Sequence, residues 1–200
     1  MSDFRLKKTT VKGTYGEDVC FEYLRRRGHT VYRPDRDDRA HPFDTLLVHG
    51  QSMEITIADV KTKPRREAYP DTGINERHFC KYTTASIRNK LRVFLFFVDE
   101  TEGRIYGNFL DILTERHEIV HNGKKEVYPK NYGGIVYFPL EKMKTICWIP
   151  DDEISKLKEM RNTSFRISNP AEYHRDLFEH GQKGQAGWQQ TCSVAQSGQQ

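Results

Sequence analysis

Two aspartates and a lysine fall within residues 42–63, P-F-D-T-L-L-V-H-G-Q-S-M-E-I-T-I-A-D-V-K-T-K. Carboxylates are the hard oxygen ligands that Mg²⁺ takes. Asp44 and Asp59 could hold one such ion (or Mn²⁺), together with a backbone carbonyl near Val60 and water. A metal placed there would activate a water and stabilise charge on a scissile phosphate. Lys61, one strand period beyond Asp59, could orient that water or neutralise the developing charge. Glu17, far earlier in the chain, could supply an outer carboxylate. The set suits metal-assisted phosphodiester hydrolysis.

These groups act together only if local structure converges them. Phe43 to Val48 and Met53 to Lys63 are rich in β-branched and apolar residues, and His49-Gly50-Gln51-Ser52 separates them. That is the pattern of two strands joined by a turn. With the turn centred on Gly50-Gln51, antiparallel partners sum to 101 and residue 44 pairs with residue 57. Side chains alternate faces with period 2. Asp44, Ile57, Asp59 and Lys61 are therefore expected on one face, and a slip of one residue would part the aspartates.

Before the hairpin, residues 1–12 read as a lead-in. A helix is expected from Thr14, where Tyr15, Val19, Cys20, Tyr23 and Leu24 recur at helical spacing and Gly28 follows the last turn. Thr14-Tyr15-Gly16-Glu17 has the form of a capping box, which by itself would account for Glu17. His29–Arg33 reads as a short strand and 34–41 as a polar loop containing Pro34-Asp35, a rival Pro-Asp pair. After the hairpin, 64–74 reads as a loop, with Pro64 and Pro70 unable to donate to a ladder. Asn75 is placed to cap a helix running to about Lys90. Leu91 to Val98, L-R-V-F-L-F-F-V, has the composition of a fully buried strand, and Arg104–Phe109 of its neighbour.

Further on, Asn122-Gly123 signals a tight turn, Ile135–Phe138 and Ile146–Ile149 two strands, and Asp151 or Asp152 the cap of a helix through Met160. The expected class is α/β (α+β), a mixed central sheet flanked by helices with extra C-terminal strands and a helix. Residues 1–162 are expected to form the domain and 163–200 an extension, which is Gly-, Gln- and Ser-rich and expected to be disordered from about 180.

Composition narrows the class. Lys and Arg number 32 against 28 Asp and Glu, a net +4 that permits a polyanionic partner without demanding one. Between residues 61 and 92 the balance is sharper: Lys61, Lys63, Arg65, Arg66, Arg77, Lys81, Arg88, Lys90 and Arg92 against Glu67, Asp71 and Glu76. Such a run is either a phosphate-binding surface or a solvated face. No run reaches transmembrane length and the N-terminus lacks a signal-peptide core, so no membrane partner and a cytoplasmic setting are expected. Cys20, Cys80, Cys147 and Cys192 form no C-x-x-C, which fits isolated thiols in a reducing compartment.

Helix glutamate (Gly16-Glu17), strand aspartate (Pro42-Phe43-Asp44), then Asp59-Val60-Lys61 on the next strand, a helix and a buried strand: this order resembles the PD-(D/E)XK nuclease superfamily. The resemblance spans roughly residues 13 to 98. It implies a restriction-endonuclease-like αβββαβ core and Mg²⁺-dependent cleavage of DNA, with Glu17, Asp44, Asp59 and Lys61 as catalytic residues. By the same resemblance Asp44, Asp59 and Val60 are the metal ligands. His78-Phe79-Cys80-Lys81-Tyr82 looks like the Q-x-x-x-Y motif of RecB-type members, with His78 in place of Gln. Lys63, Arg65, Arg66, His78, Lys81 and Tyr82 would then meet the substrate. One departure is plain: Asp59 stands where the family usually has Glu.

Each feature has a plainer reading. Asp59 and Lys61 could be a surface ion pair, Asp44 a strand-entry residue, and His78 and Tyr82 an ordinary helix face. Acid-x-Lys occurs once here, against about two expected by chance from this composition. His117-Glu118-Ile119-Val120-His121 spells H-E-x-x-H, whose zinc chemistry requires a helix. A helix over 110–121 and a strand both fit. On a strand the histidines stand about 13 Å apart and cannot share an ion. The longer zincin signature is absent, since position 124 is Lys. Two functions remain: a DNA-cutting enzyme, with junction resolvase (a symmetric homodimer) as a sub-case, or a nucleic-acid-binding or scaffold protein of the same fold without chemistry.

Overall fold

A computed structural model describes residues 8–33, 43 and 45–162. The expectations for Asp44, the loop 34–41 and the extension 163–200 lie outside the described residues. Helix α1 (Lys8–Arg26) leads to strands β1 (Thr30–Tyr32), β2 (Thr45–Val48), β3 (Ile55–Thr62) and β4 (Asp71–Asn75), then helix α2 (Glu76–Asn89). β5 (Val93–Asp99) and β6 (Arg104–Phe109) follow, then α3 (Leu110–Thr114), β7 (His117–His121), β8 (Lys124–Tyr128), β9 (Lys130–Tyr132) and β10 (Ile135–Pro139). A 3₁₀ turn at Leu140–Lys142, β11 (Lys144–Trp148) and α4 (Asp151–Asn162) complete the order.

Among the described residues the main sheet has six strands in the order β1-β2-β3-β5-β6-β11. Only β3 and β5 run parallel among its pairs. A parallel pair requires a crossover, and α2 lies on it. Alternation along β3 then decides what each face meets. Ala58 and Val60 pack with Tyr15, Val19 and Phe21 of α1 and Leu157 of α4, while Ile57 packs with Tyr82 and Ala85 of α2. β5 is buried on both faces, as its unbroken apolar run requires, with Leu95, Phe97 and Val98 all fully inaccessible. The architecture is therefore a mixed α/β sheet between helical layers, with α1, the β1-β2-β3 meander, α2 and β5 in the expected order.

Several elements differ from expectation. Helix α1 begins at Lys8, so Thr14–Glu17 lies inside it and forms no capping box. Gly16 sits mid-helix for a steric reason: a Cβ there would lie 1.9 Å from Thr62 Oγ1 and 2.8 Å from Thr62 Cβ. The glycine lets α1 cross the end of β3 at contact distance. Residues 71–75 form strand β4 rather than loop, paired with β10. Gly73 allows it, since a Cβ there would stand 2.4 Å from the Val136 carbonyl oxygen.

The hairpin register also shifts. Ile57 pairs with Leu46, not with position 44. The connection closes through His49 N–H to the Glu54 carbonyl and Met53 N–H to the His49 carbonyl, both 2.9 Å, with Met53 left-handed at φ 57°. A shift of two residues preserves strand parity, so Ile57, Asp59 and Lys61 keep their expected shared face. Asn122 (φ 49°) and Gly123 (φ 73°) make the expected tight turn, and His117–His121 is a strand paired with β8. The zinc-protease geometry is thereby excluded. His117 Nε2 meets Glu141 at 3.0 Å, whereas His121 Nε2 meets the Ala68 carbonyl at 2.9 Å.

Candidate functional site

Asp59 stands near the C-terminal end of β3, wholly buried, on the face turned to α2. A buried carboxylate requires charge or hydrogen-bond partners. Lys61, two residues on and on the same face, supplies both: its Nζ lies 2.9 Å from Oδ1 and 2.7 Å from Oδ2. Tyr82, buried on α2, donates its hydroxyl to Oδ1. The Lys61 ammonium also lies 5.8 Å from the centre of the Tyr82 ring. His78 completes the row one helical turn earlier, its ring 5.9 Å from that of Tyr82. The acid, the lysine, the tyrosine and the histidine therefore form one contiguous cluster.

Glu17 lies on α1, the helix packed on the opposite face of the sheet. Its carboxylate accepts from Arg33 Nη2 at 2.9 Å, while Asp18 takes Nη1 at 2.5 Å. Arg33, just past β1, also lies over the Phe21 ring, and no spacing in the sequence marks it as a partner of Glu17. Gly16, beside Glu17, is the residue that brings this helix to the end of β3.

Basic residues leave the site along one path. Lys63 N–H bonds the Val98 carbonyl at 3.0 Å and Arg65 N–H bonds Asp99 Oδ2 at 3.0 Å, so the segment after β3 is pinned beside the end of β5. Burial, with Lys61 nearby, holds the Lys63 ammonium below its ordinary pKa. Arg65 pairs with Glu102. Arg66 makes a two-pronged bond to Asp71, both arms 2.6 Å, and lies between the rings of Tyr69 (4.2 Å) and Tyr137 (4.0 Å). That arrangement ties the segment to β4 and β10. Lys81 is half-buried on α2, one residue before Tyr82.

The donor set is chemically suited to a hard cation. Asp59 and the Val60 carbonyl offer oxygen, the ligand class Mg²⁺ and Mn²⁺ take. Among the described residues no three His, Cys, Asp or Glu side chains gather closely enough to hold an ion. The second carboxylate expected from the sequence, Asp44, is not among them. No helix in the described residues is long and apolar enough to cross a membrane.

By sequence the chain matches no protein family and no curated protein. Among solved structures it is similar to Hjc, a Holliday junction resolvase from the archaeal hyperthermophile Archaeoglobus fulgidus. The TM-score is 0.45 at 10% identity, covering 68% of this chain and 92% of that one. A likeness of this degree says nothing of chemistry, which has to be argued from the residues themselves.

Proposed function

We propose that the chain is a metal-dependent deoxyribonuclease that hydrolyses DNA phosphodiester bonds. The observation that carries this reading is the buried Asp59 carboxylate bridged to Lys61 at the end of β3, with Tyr82 on the same oxygen. Asp59, the Val60 carbonyl and Asp44 would hold Mg²⁺ (or Mn²⁺). The bound ion would lower the pKa of a water and offset charge on the phosphate. Lys61 carries a cation at the carboxylate's edge and is 22% exposed, so it can reach a phosphoryl oxygen as negative charge grows there. Tyr82 orients the carboxylate by its hydroxyl, and His78 lies against the Tyr82 ring. Glu17 acts at one remove, through Arg33 and α1. Lys63, Arg65 and Lys81 supply positive charge for the substrate backbone, while Arg66 shapes the path through Asp71.

The test is incubation with linear, circular, single-stranded and branched DNA in Mg²⁺, Mn²⁺ or EDTA. Cleavage is expected with metal only. Lys61→Ala should lower it about 100-fold or more, and Asp59→Asn should abolish it, with circular dichroism unchanged. Full activity in both variants would refute the assignment.

A second reading has its own support. Lys61 and Tyr82 already engage Asp59, and aspartate is one methylene shorter than the glutamate usual in the resembling family. On that reading the chain binds nucleic acid without cutting it, and binding with no cleavage under any metal would favour it. A homodimer, as junction cleavage would use, predicts twice the chain mass by light scattering.

A further inference from the structure

Helix α2 contains one acid, Glu76, against Arg77, Lys81 and Arg88, and Lys90 follows at its left-handed C-cap. At 100° per residue, Arg77, Lys81 and Arg88 fall within about 40° of one another, a single stripe about 16 Å long. Most other described cations are spoken for. Arg33, Lys61, Arg66, Arg92, Arg104 and Lys142 each have a carboxylate within ion-pair distance. Among the described residues the four cations of this stripe and cap have no such acid. Unneutralised charge gathered along one helix costs self-repulsion, and an external anion would relieve it.

A second feature adjoins the stripe's N-terminal end. The β9–β10 turn is tied to the first residue of α2, whose N–H bonds the Gly134 carbonyl at 2.9 Å. Tyr132, beside that turn, is 75% exposed. An exposed ring beside the turn bonded to the first residue of α2 adds a stacking face to the charge of that helix. Inorganic polyanions and lipid headgroups use only the charge, whereas an unpaired nucleobase uses both.

We infer that α2 is the track for a nucleic-acid strand, its phosphates lying along Arg77, Lys81 and Arg88 and a base stacking on Tyr132. This rests on the nuclease reading for its setting, since Tyr82 of the same helix bonds Asp59 and His78 lies against the Tyr82 ring. It names the strand's path and an unpaired base as part of the substrate.

Binding is separable from cutting. Anisotropy of a labelled oligothymidylate would be read in EDTA across a salt series, for the full chain and its variants. The triple variant Arg77→Gln, Lys81→Gln, Arg88→Gln should flatten the slope of log K against log salt by about 2, at roughly 0.7 per phosphate contact on a single strand. Lys124→Gln, Lys144→Gln, Lys158→Gln, three exposed cations elsewhere, should leave the slope unchanged. Tyr132→Ala should weaken binding about tenfold at constant slope, with Tyr132→Phe retaining it. An unaltered slope in the α2 triple variant, or indifference to Tyr132→Ala, would overturn the inference. Strong binding without metal-dependent cleavage would sink the nuclease reading and leave the strand path standing.

Discussion

Asp59 is costly to bury, and two donors offset that cost. Tyr82→Phe deletes one of them and leaves the ring in place, so stability should fall by about 1.5 kcal/mol, read as a lower urea midpoint at constant slope. Two glycines on one helix make a sharper contrast. At Gly13 a Cβ would meet nothing within 4 Å, so Gly13→Ala should stabilise by about 0.5–1 kcal/mol through lost chain entropy. At Gly16 the same methyl would strike Thr62, and rotation about χ1 cannot relieve it because the Thr62 Cβ itself would stand 2.8 Å away. Gly16→Ala should therefore destabilise by about 1–2 kcal/mol, overpacking outweighing the helix gain. Equal midpoints for the two variants would mean that α1 does not approach β3 as described.

Two joints between elements carry testable charge. His29 sits where α1 meets β1, its ring edge-on to His49 at 5.0 Å across the β2–β3 turn. Burial first, then His49 and Arg27, hold its pKa below the ordinary 6.5. Folding therefore disfavours the protonated ring. Its stability contribution is whole above pH 6.5 and is lost as pH falls through the lowered value. Melting temperature should drop across that window, and His29→Gln should flatten the drop. The other joint is Asp71 on β4, wholly buried. It accepts from Arg66, from the Tyr128 hydroxyl at 2.7 Å, and faces Lys130 at 3.6 Å. Asp71→Ala would strand Arg66, while Lys130 keeps Glu126 at 2.7 Å, and should cost about 2–3 kcal/mol, below the figure for a fully buried pair because Arg66 keeps some solvent. The loss would show as early hydrogen exchange in β4, β9 and β10.

At the scale of the molecule, α4 closes the core: Leu157 is wholly buried and Ile154 and Met160 pack against the α1 side of the sheet. A chain ending at Asn162 keeps α4 whole and, on the sequence expectation that 163–200 is an extension outside the domain, should melt within about 2 °C of the full chain. Ligand linkage gives a further whole-molecule reading. Under the nuclease proposal, Mg²⁺ or Mn²⁺ should raise the melting temperature in a concentration-dependent way, and Asp59→Asn should remove the rise. A metal shift that survives in that variant would place the ion elsewhere.

Periodicity and turn chemistry were enough to place the hairpin, α2, the buried β5, the tight turn at Asn122-Gly123 and the shared face of Ile57, Asp59 and Lys61. Those signals are local, and parity along a strand survives a two-residue error in the turn. The resemblance of His78–Tyr82 to a Q-x-x-x-Y motif, rather than residue type, pointed to His78 and Tyr82 beside the acid. The start of α1, the strand at 71–75 and the pairing of Glu17 with Arg33 were not legible, because each depends on a partner distant in the chain. Gly16 and Gly73 look like breaks until Thr62 and Val136 show how closely another element must pass. Whether Asp59 meets Tyr82 and Lys61 at bonding distance was decided only when α2 crossed over the sheet, for contact distance is a property of packing and no single strand contains it.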